Sequence, residues 1–213
     1  MGLSLITGFK YARTLARVRI MRLFTGIELP SEILLRLERL ISALRPEALI
    51  KWSPLDNLHV TTKFIGEWPP PRLEELHEAL ASLPSRESFD LEIKDLGWFP
   101  NERSPRVLWA GVHGGEPLLN LAHETDAKLE GLGIKKEERP FSPHLTLARI
   151  KNPVPLHRLR QRVAEMLPAA IGTFPVSRFV LYRSEPGSNA SIYRKLGEYI
   201  FEPAHSAMAA GKI

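Results

Sequence analysis

The sequence has no cysteine among its 213 residues. Disulfides, thiolate metal sites and thiol nucleophiles are thereby excluded, and the composition suits a reducing compartment. No run approaches the roughly 18 apolar residues of a membrane-spanning helix, so a cytoplasmic protein with no membrane partner is expected. Acidic residues are missing from the first twenty positions, where Lys10, Arg13, Arg17 and Arg19 supply +4 of the formal net charge of +5. The 29 basic residues less these four leave 25 against 24 acidic ones over 21–213, which is close to neutral. The sequence pI of about 9.6 is therefore no sign of a broadly basic nucleic-acid surface.

The opening segment also lacks a basic stretch ahead of its apolar residues and a convincing cleavage site, which argues against a secretory signal. Its arginines are only weakly like those of a transit peptide. Residues 1–20 are expected to form an extension outside the fold, because Met21 opens a well-formed strand, and 202–213 a C-terminal tail.

Between these ends the periodicity alternates between strand and helix. A strand over 23–29 precedes a helix from Pro30-Ser31, in which Ile33, Leu34, Leu37, Leu40, Ile41 and Leu44 keep helical spacing up to Pro46. A strand around His59 and a helix from about 71 follow. Two strand-like runs, 88–100 and 106–114, flank the polar turn 101–105 and read as a hairpin. Then come a helix at 117–131, a strand around His144, a helix at 155–167, and a final strand pair, 173–185 with 191–201. Each half thus holds a histidine-bearing strand, a helix and a strand pair. The expected fold is α+β, with two pseudo-symmetric lobes, each a small antiparallel sheet with helices on one face, and the active-site cleft between them.

The histidine strands carry the chemistry. Residues 57–67 read NLHVTTKFIGE and residues 143–150 read PHLTLARI, so His-x-Thr occurs in both. With seven histidines and eight threonines, roughly 0.3 such matches are expected by chance. A third match, His123 with Thr125, lies in a helical stretch, where residues two apart point away from each other. In a strand they share a face. His59 and Thr61 are expected on one side, as are His144 and Thr146, with Val60, Phe64, Leu145 and Leu147 turned to the core. A lone histidine is more often an ordinary surface or core residue, but this platform is built twice. No metal-ligand cluster accompanies either histidine, and His77, His113, His157 and His205 have no such pattern.

Two histidines flanking one cleft suit phosphodiester chemistry without a metal. One imidazole accepts a proton from attacking water and the other donates to the departing oxygen, while two hydroxyls hold the non-bridging oxygens.

With these motifs the sequence resembles the two-histidine (2H) phosphoesterase superfamily, and within it the RNA 2′,3′-cyclic phosphodiesterases, also called 2′-5′ RNA ligases. The likeness covers about 21–201 and includes RLFTGIELP, KWSPLDNLHVTTKFIGE, RPFSPHLTLARI and LYRSEPG with the later YRKL. The resemblance implies an enzyme of the phosphoric diester hydrolase class that opens RNA 2′,3′-cyclic phosphate ends to 2′-phosphates, with 2′-5′ ligation as the reverse. It implies His59 as proton donor and His144 as proton acceptor. Thr61, Thr146, Arg149 and Phe24 would contact the substrate, and no metal or cofactor would be needed. RNA ends, such as those of tRNA fragments, are the expected partner, and a monomer is the expected state.

Two departures stand out: Thr62 occupies a usually aliphatic position and needs a partner for its hydroxyl, and Ser142 replaces a residue that is often basic. Strict alternation from His144 would also turn Arg149 to the opposite face, so its role requires the strand to bend or end first. Two other readings stay open on the residues alone. One is an RNA-binding module without turnover, and the other is a phosphodiesterase for a different small cyclic nucleotide.

Overall fold

The computed structural model describes residues 20–204. Most of the expected N-terminal extension and C-terminal tail lies outside the described residues. The ordered chain does continue past 201: the Glu202 amide donates to Arg86 and its carbonyl accepts from Ser88, at 2.8 Å each.

The elements follow in the order β1 (Met21–Glu28), α1 (Ser31–Leu44), β2 (Lys51–Trp52), β3 (His59–Trp68), α2 (Leu73–Ala81), β4 (Phe89–Phe99), β5 (Val107–His113), α3 (Gly115–Glu130), β6 (His144–Arg149), α4 (His157–Glu165), β7 (Ala170–Val176), β8 (Arg178–Glu185) and β9 (Ile192–Ile200). The expected helices form where apolar residues recur every three or four positions. In α1 these are Ile33, Leu37, Ile41 and Leu44, all buried. The α+β class and the two antiparallel sheets are as expected. One sheet runs β3-β1-β8-β9 and the other β2-β6-β5-β4-β7.

The distribution of strands between the sheets differs from a simple halving of the chain. The hairpin β4–β5 follows the first histidine strand in sequence yet pairs with the second, β6. Residues 173–185, read as one strand, are two. β7 pairs with β4 in the five-stranded sheet, and after Ser177 the chain enters the other sheet, where β8 pairs with β1 and β9. Two exposed polar residues in a row, Ser177 and Arg178, interrupt the apolar alternation there, but such a break does not by itself say that the chain changes sheet. Pro175 sits in β7, an edge strand, where its missing N–H costs no ladder bond.

Helices tie the lobes together. α1 leaves the four-stranded sheet and packs against β7 and α4, whereas α3 leaves the five-stranded sheet and packs against β3 and α2. The Arg36 guanidinium donates to the Ile171 carbonyl at 3.0 Å, and buried Lys63 of β3 pairs with Asp126 of α3 and donates to the Lys135 carbonyl at 2.7 Å. The main core is accordingly one cluster fed by both sheets. β3 and β6 run against each other without joining ladders, which brings the two histidine strands together.

Candidate active site

Both histidine strands bend in the same way. In the β1–β3 ladder Thr25 faces Lys63 and Gly26 faces Thr61, so Thr62 is an extra residue. In the β5–β6 ladder Leu108 faces Ala148 and Trp109 faces Thr146, so Leu147 is extra. Each is a β-bulge three residues past its histidine. The outcome is the same pattern of partly buried, buried, partly buried, buried, buried, exposed over 59–64 and over 144–149.

These bulges reset the alternation. Arg149 returns to the histidine side of β6, which meets the condition its expected role imposed. Phe64, expected in the core, corrects that reading: it is 66% exposed, because the extra residue Thr62 shifts it by one position. Nothing in the apolar pattern foretold either bulge. The Thr62 hydroxyl finds its partner in the hydroxyl of Thr25, 2.7 Å away and likewise buried.

Each imidazole is held by its own strand entry. His59 Nδ1 lies 2.9 Å from the carbonyl of Asn57, and His144 Nδ1 lies 2.7 Å from the carbonyl of Ser142. In both cases Nδ1–H donates to the carbonyl two residues earlier, which leaves Nε2 free for a ligand. At Ser142 this contact uses a backbone oxygen that any residue supplies, so the change of side chain there leaves the hold on His144 unaffected. The hydroxyls of Thr61 and Thr146 have no protein partner among the described residues.

Aromatic rings back the histidines. Phe24 stacks on His59 at 4.7 Å between ring centroids and on Tyr182 at 5.0 Å, and Tyr193 meets His59 edge-on at 5.2 Å. At 4% exposure Phe24 lies beneath the imidazole, within a small cluster of Val180 and Tyr182 separate from the main core. Phe99 meets His144 edge-on at 4.9 Å and packs against Trp109 at 5.2 Å. Gly97 makes room for that indole, because a Cβ there would stand 2.2 Å from the ring.

The His59 pKa is lowered from 6.5 to about 4, chiefly by burial among these rings, with the Asn57 hydrogen bond opposing the shift and Arg149 and His144 adding to it. His144 is also lowered, first by burial and then by Arg149. One guanidinium thus acts on both imidazoles, and the second imidazole acts on the first. His59, His144 and Arg149 share a single electrostatic site. His123 and Thr125, in contrast, are in α3, where the Thr125 hydroxyl donates to the Leu121 carbonyl at 2.6 Å.

The family model described as LigT like Phosphoesterase matches residues 27–109 and 112–193, so that each matched segment contains one of the two motifs. The chain belongs to this phosphoesterase family. A relative named RNA 2′,3′-cyclic phosphodiesterase, from Methanocaldococcus jannaschii, is 32% identical over 179 residues, covering 84% of this chain and all of the relative. A crystal structure from Thermus thermophilus superposes with a TM-score of 0.73 at 32% identity, covering 87% of this chain and all of that one. The Escherichia coli LigT structure complexed with 3′-AMP gives a TM-score of 0.68 at 26% identity, covering 85% and 98%. Among the described residues, no helix is long and apolar enough to cross a membrane, and no group of His, Asp or Glu is arranged to hold a metal ion.

Proposed function

We propose that this protein hydrolyses RNA 2′,3′-cyclic phosphate ends to 2′-phosphates through His59 and His144, with 2′-5′ ligation as the reverse reaction. The observation that carries the reading is the matched pair of imidazoles. Each has Nδ1 committed to a backbone carbonyl and Nε2 free, and both feel the same Arg149. The activity named for the Methanocaldococcus jannaschii relative and the 3′-AMP named with the Escherichia coli structure support the substrate class.

In this mechanism His144 Nε2 takes a proton from water as the water oxygen bonds to phosphorus. His59 Nε2–H gives its proton to the 3′ oxygen as the P–O3′ bond breaks, leaving a 2′-phosphate and a 3′-hydroxyl. Thr61, Thr146 and Arg149 donate to the non-bridging oxygens, whose charge grows in the transition state. Phe24 backs the His59 ring. The acid must be protonated, yet His59 rests neutral at pH 7 because its pKa is near 4. The substrate's own charge works against this: a phosphate anion favours a proton on His59 directly and offsets Arg149, opposing the burial that is the main cause of the low pKa. No step calls for a metal or cofactor.

Product analysis on an oligoribonucleotide ending in a 2′,3′-cyclic phosphate tests the proposal. A 2′-phosphate product is expected. Exclusive 3′-phosphate would reverse the assigned acid and base geometry, and an unchanged substrate would overturn the reading.

A further inference from the structure

Next to the cleft, a groove of about 310 Å³ runs between the β2 segment and the chain that leaves β6, lined by Leu49, Lys51, Arg149, Lys151 and Asn152 among others. Its charge is of one sign. Lys51 stands directly opposite Arg149 in the β2–β6 ladder, and two like charges facing each other across strands destabilise a sheet. Arg106 is exposed nearby, with its carbonyl accepting from the Ile150 amide at 2.9 Å.

Elsewhere on this nearly neutral body most cations are neutralised. Arg36, Lys63, Arg72, Arg86, Lys94 and Lys195, for example, each pair with a carboxylate. Lys51, Arg149 and Lys151 have no carboxylate partner among the described residues. A like-charged ladder pair without a counter-ion, continuous with a residue of the catalytic cleft, is a place prepared for an anion from outside.

Resting on the function proposed above, we infer that this groove is a second phosphate subsite, which takes the RNA strand on the 5′ side of the cyclic phosphate. The direction follows from the substrate's connectivity. A terminal cyclic phosphate uses both the 2′ and 3′ oxygens of its ribose, so the strand leaves only through the 5′ oxygen. Arg149 lines both cleft and groove, and therefore stands between the scissile phosphate and the next one. Lys51 and Lys151 hold that next phosphate, and Leu49, 94% exposed, offers an apolar edge to the adjoining sugar or base. A cyclic mononucleotide ends in a 5′-hydroxyl and leaves the subsite empty. The preferred substrate is an oligonucleotide end.

The test compares wild type with the double variant Lys51→Ala/Lys151→Ala on two substrates, a 2′,3′-cyclic mononucleotide and a short oligoribonucleotide with the same terminal nucleotide and cyclic phosphate. For the oligonucleotide, KM is expected to rise at least about tenfold with kcat nearly unchanged, and the log–log salt slope of kcat/KM to flatten by roughly 0.7 for the one phosphate no longer neutralised. Turnover of the mononucleotide is expected to stay within about twofold. An equal loss on both substrates, or no loss on either, overturns the subsite. Fluorescence anisotropy with a labelled oligoribonucleotide ending in a 2′-phosphate separates this inference from the catalytic one. Weaker binding by the double variant supports the groove even if wild type turns over neither substrate, and equal binding removes it. Unchanged Tm confirms that the variant is folded.

Discussion

Phe64 and Arg149 occupy the same place in two different sheets. Each lies five residues past a histidine, two past the extra residue of a β-bulge, and each is exposed as a result. The repeated device has been filled differently, with an aromatic ring on one strand and a cation on the other. The Phe64 ring lies 6.4 Å from that of Phe24, which in turn backs His59, while Arg149 lowers the pKa of both histidines. The two strands thus share a geometry and differ in the side chain it presents.

Replacing either histidine is expected to remove proton transfer. His59→Ala and His144→Ala should each lower kcat at least about 10²-fold, with the double variant little worse, because acid and base act in one step. Thr61→Ala and Thr146→Ala should cost less. Single-turnover rates on a cyclic-phosphate RNA end check this, and near-normal turnover by His144→Ala would rule out the two-histidine mechanism.

Ligand binding should carry a proton with it. A phosphate anion beside Arg149 raises imidazole pKa values that are depressed in the free protein, so binding of a 3′-phosphomononucleotide at pH 7 is expected to take up protons. Calorimetry in buffers of different ionisation enthalpy measures the uptake. Arg149→Met should reduce it, and a buffer-independent enthalpy for wild type would refute the coupling.

Stability should fall in acid because of His59. Its folded pKa of about 4 lies below the ordinary 6.5, so between these values the unfolded chain binds a proton that the folded chain does not. Stability from this group is whole above pH 6.5 and declines as pH falls, by up to about 3 kcal/mol at pH 4. Urea denaturation from pH 7 to 4 is expected to show that decline, and His59→Gln should flatten it.

The buried hydroxyl pair offers a double-mutant cycle. Thr25→Val or Thr62→Val alone leaves one hydroxyl without a partner and is expected to cost about 1–3 kcal/mol. The double variant should cost less than the sum of the singles, since no orphan remains. Additive losses would show that the hydroxyls do not rely on each other.

Turnover is expected to survive excess EDTA, because each histidine is committed at Nδ1 to a carbonyl and, among the described residues, no group of three or more His, Asp or Glu is placed to hold a metal ion. Activity lost to the chelator and restored by a divalent cation would place a metal in the mechanism.

Much of this protein was legible in local pattern. Alternation and helical spacing marked the four helices and most strands, and the repeated His-x-Thr marked both halves of the candidate site, because two residues apart in a strand share a face wherever that strand ends up. Several features needed the tertiary structure. The exchange of sheets at Ser177 and the pairing of β4–β5 with β6 depend on which edges meet, and an apolar run reads the same in either sheet. The bulges at Thr62 and Leu147 exist only in relation to partner strands, so the exposure of Phe64 and the return of Arg149 to the histidine face could not be read from alternation. Thr62 alone looked like an unpaired polar group, and only folding brought Thr25 to it. The same holds for Lys51 and Arg149: nearly a hundred residues apart in sequence, they become neighbours of like charge only when β2 pairs with β6, and a charge count along the chain averages that concentration away.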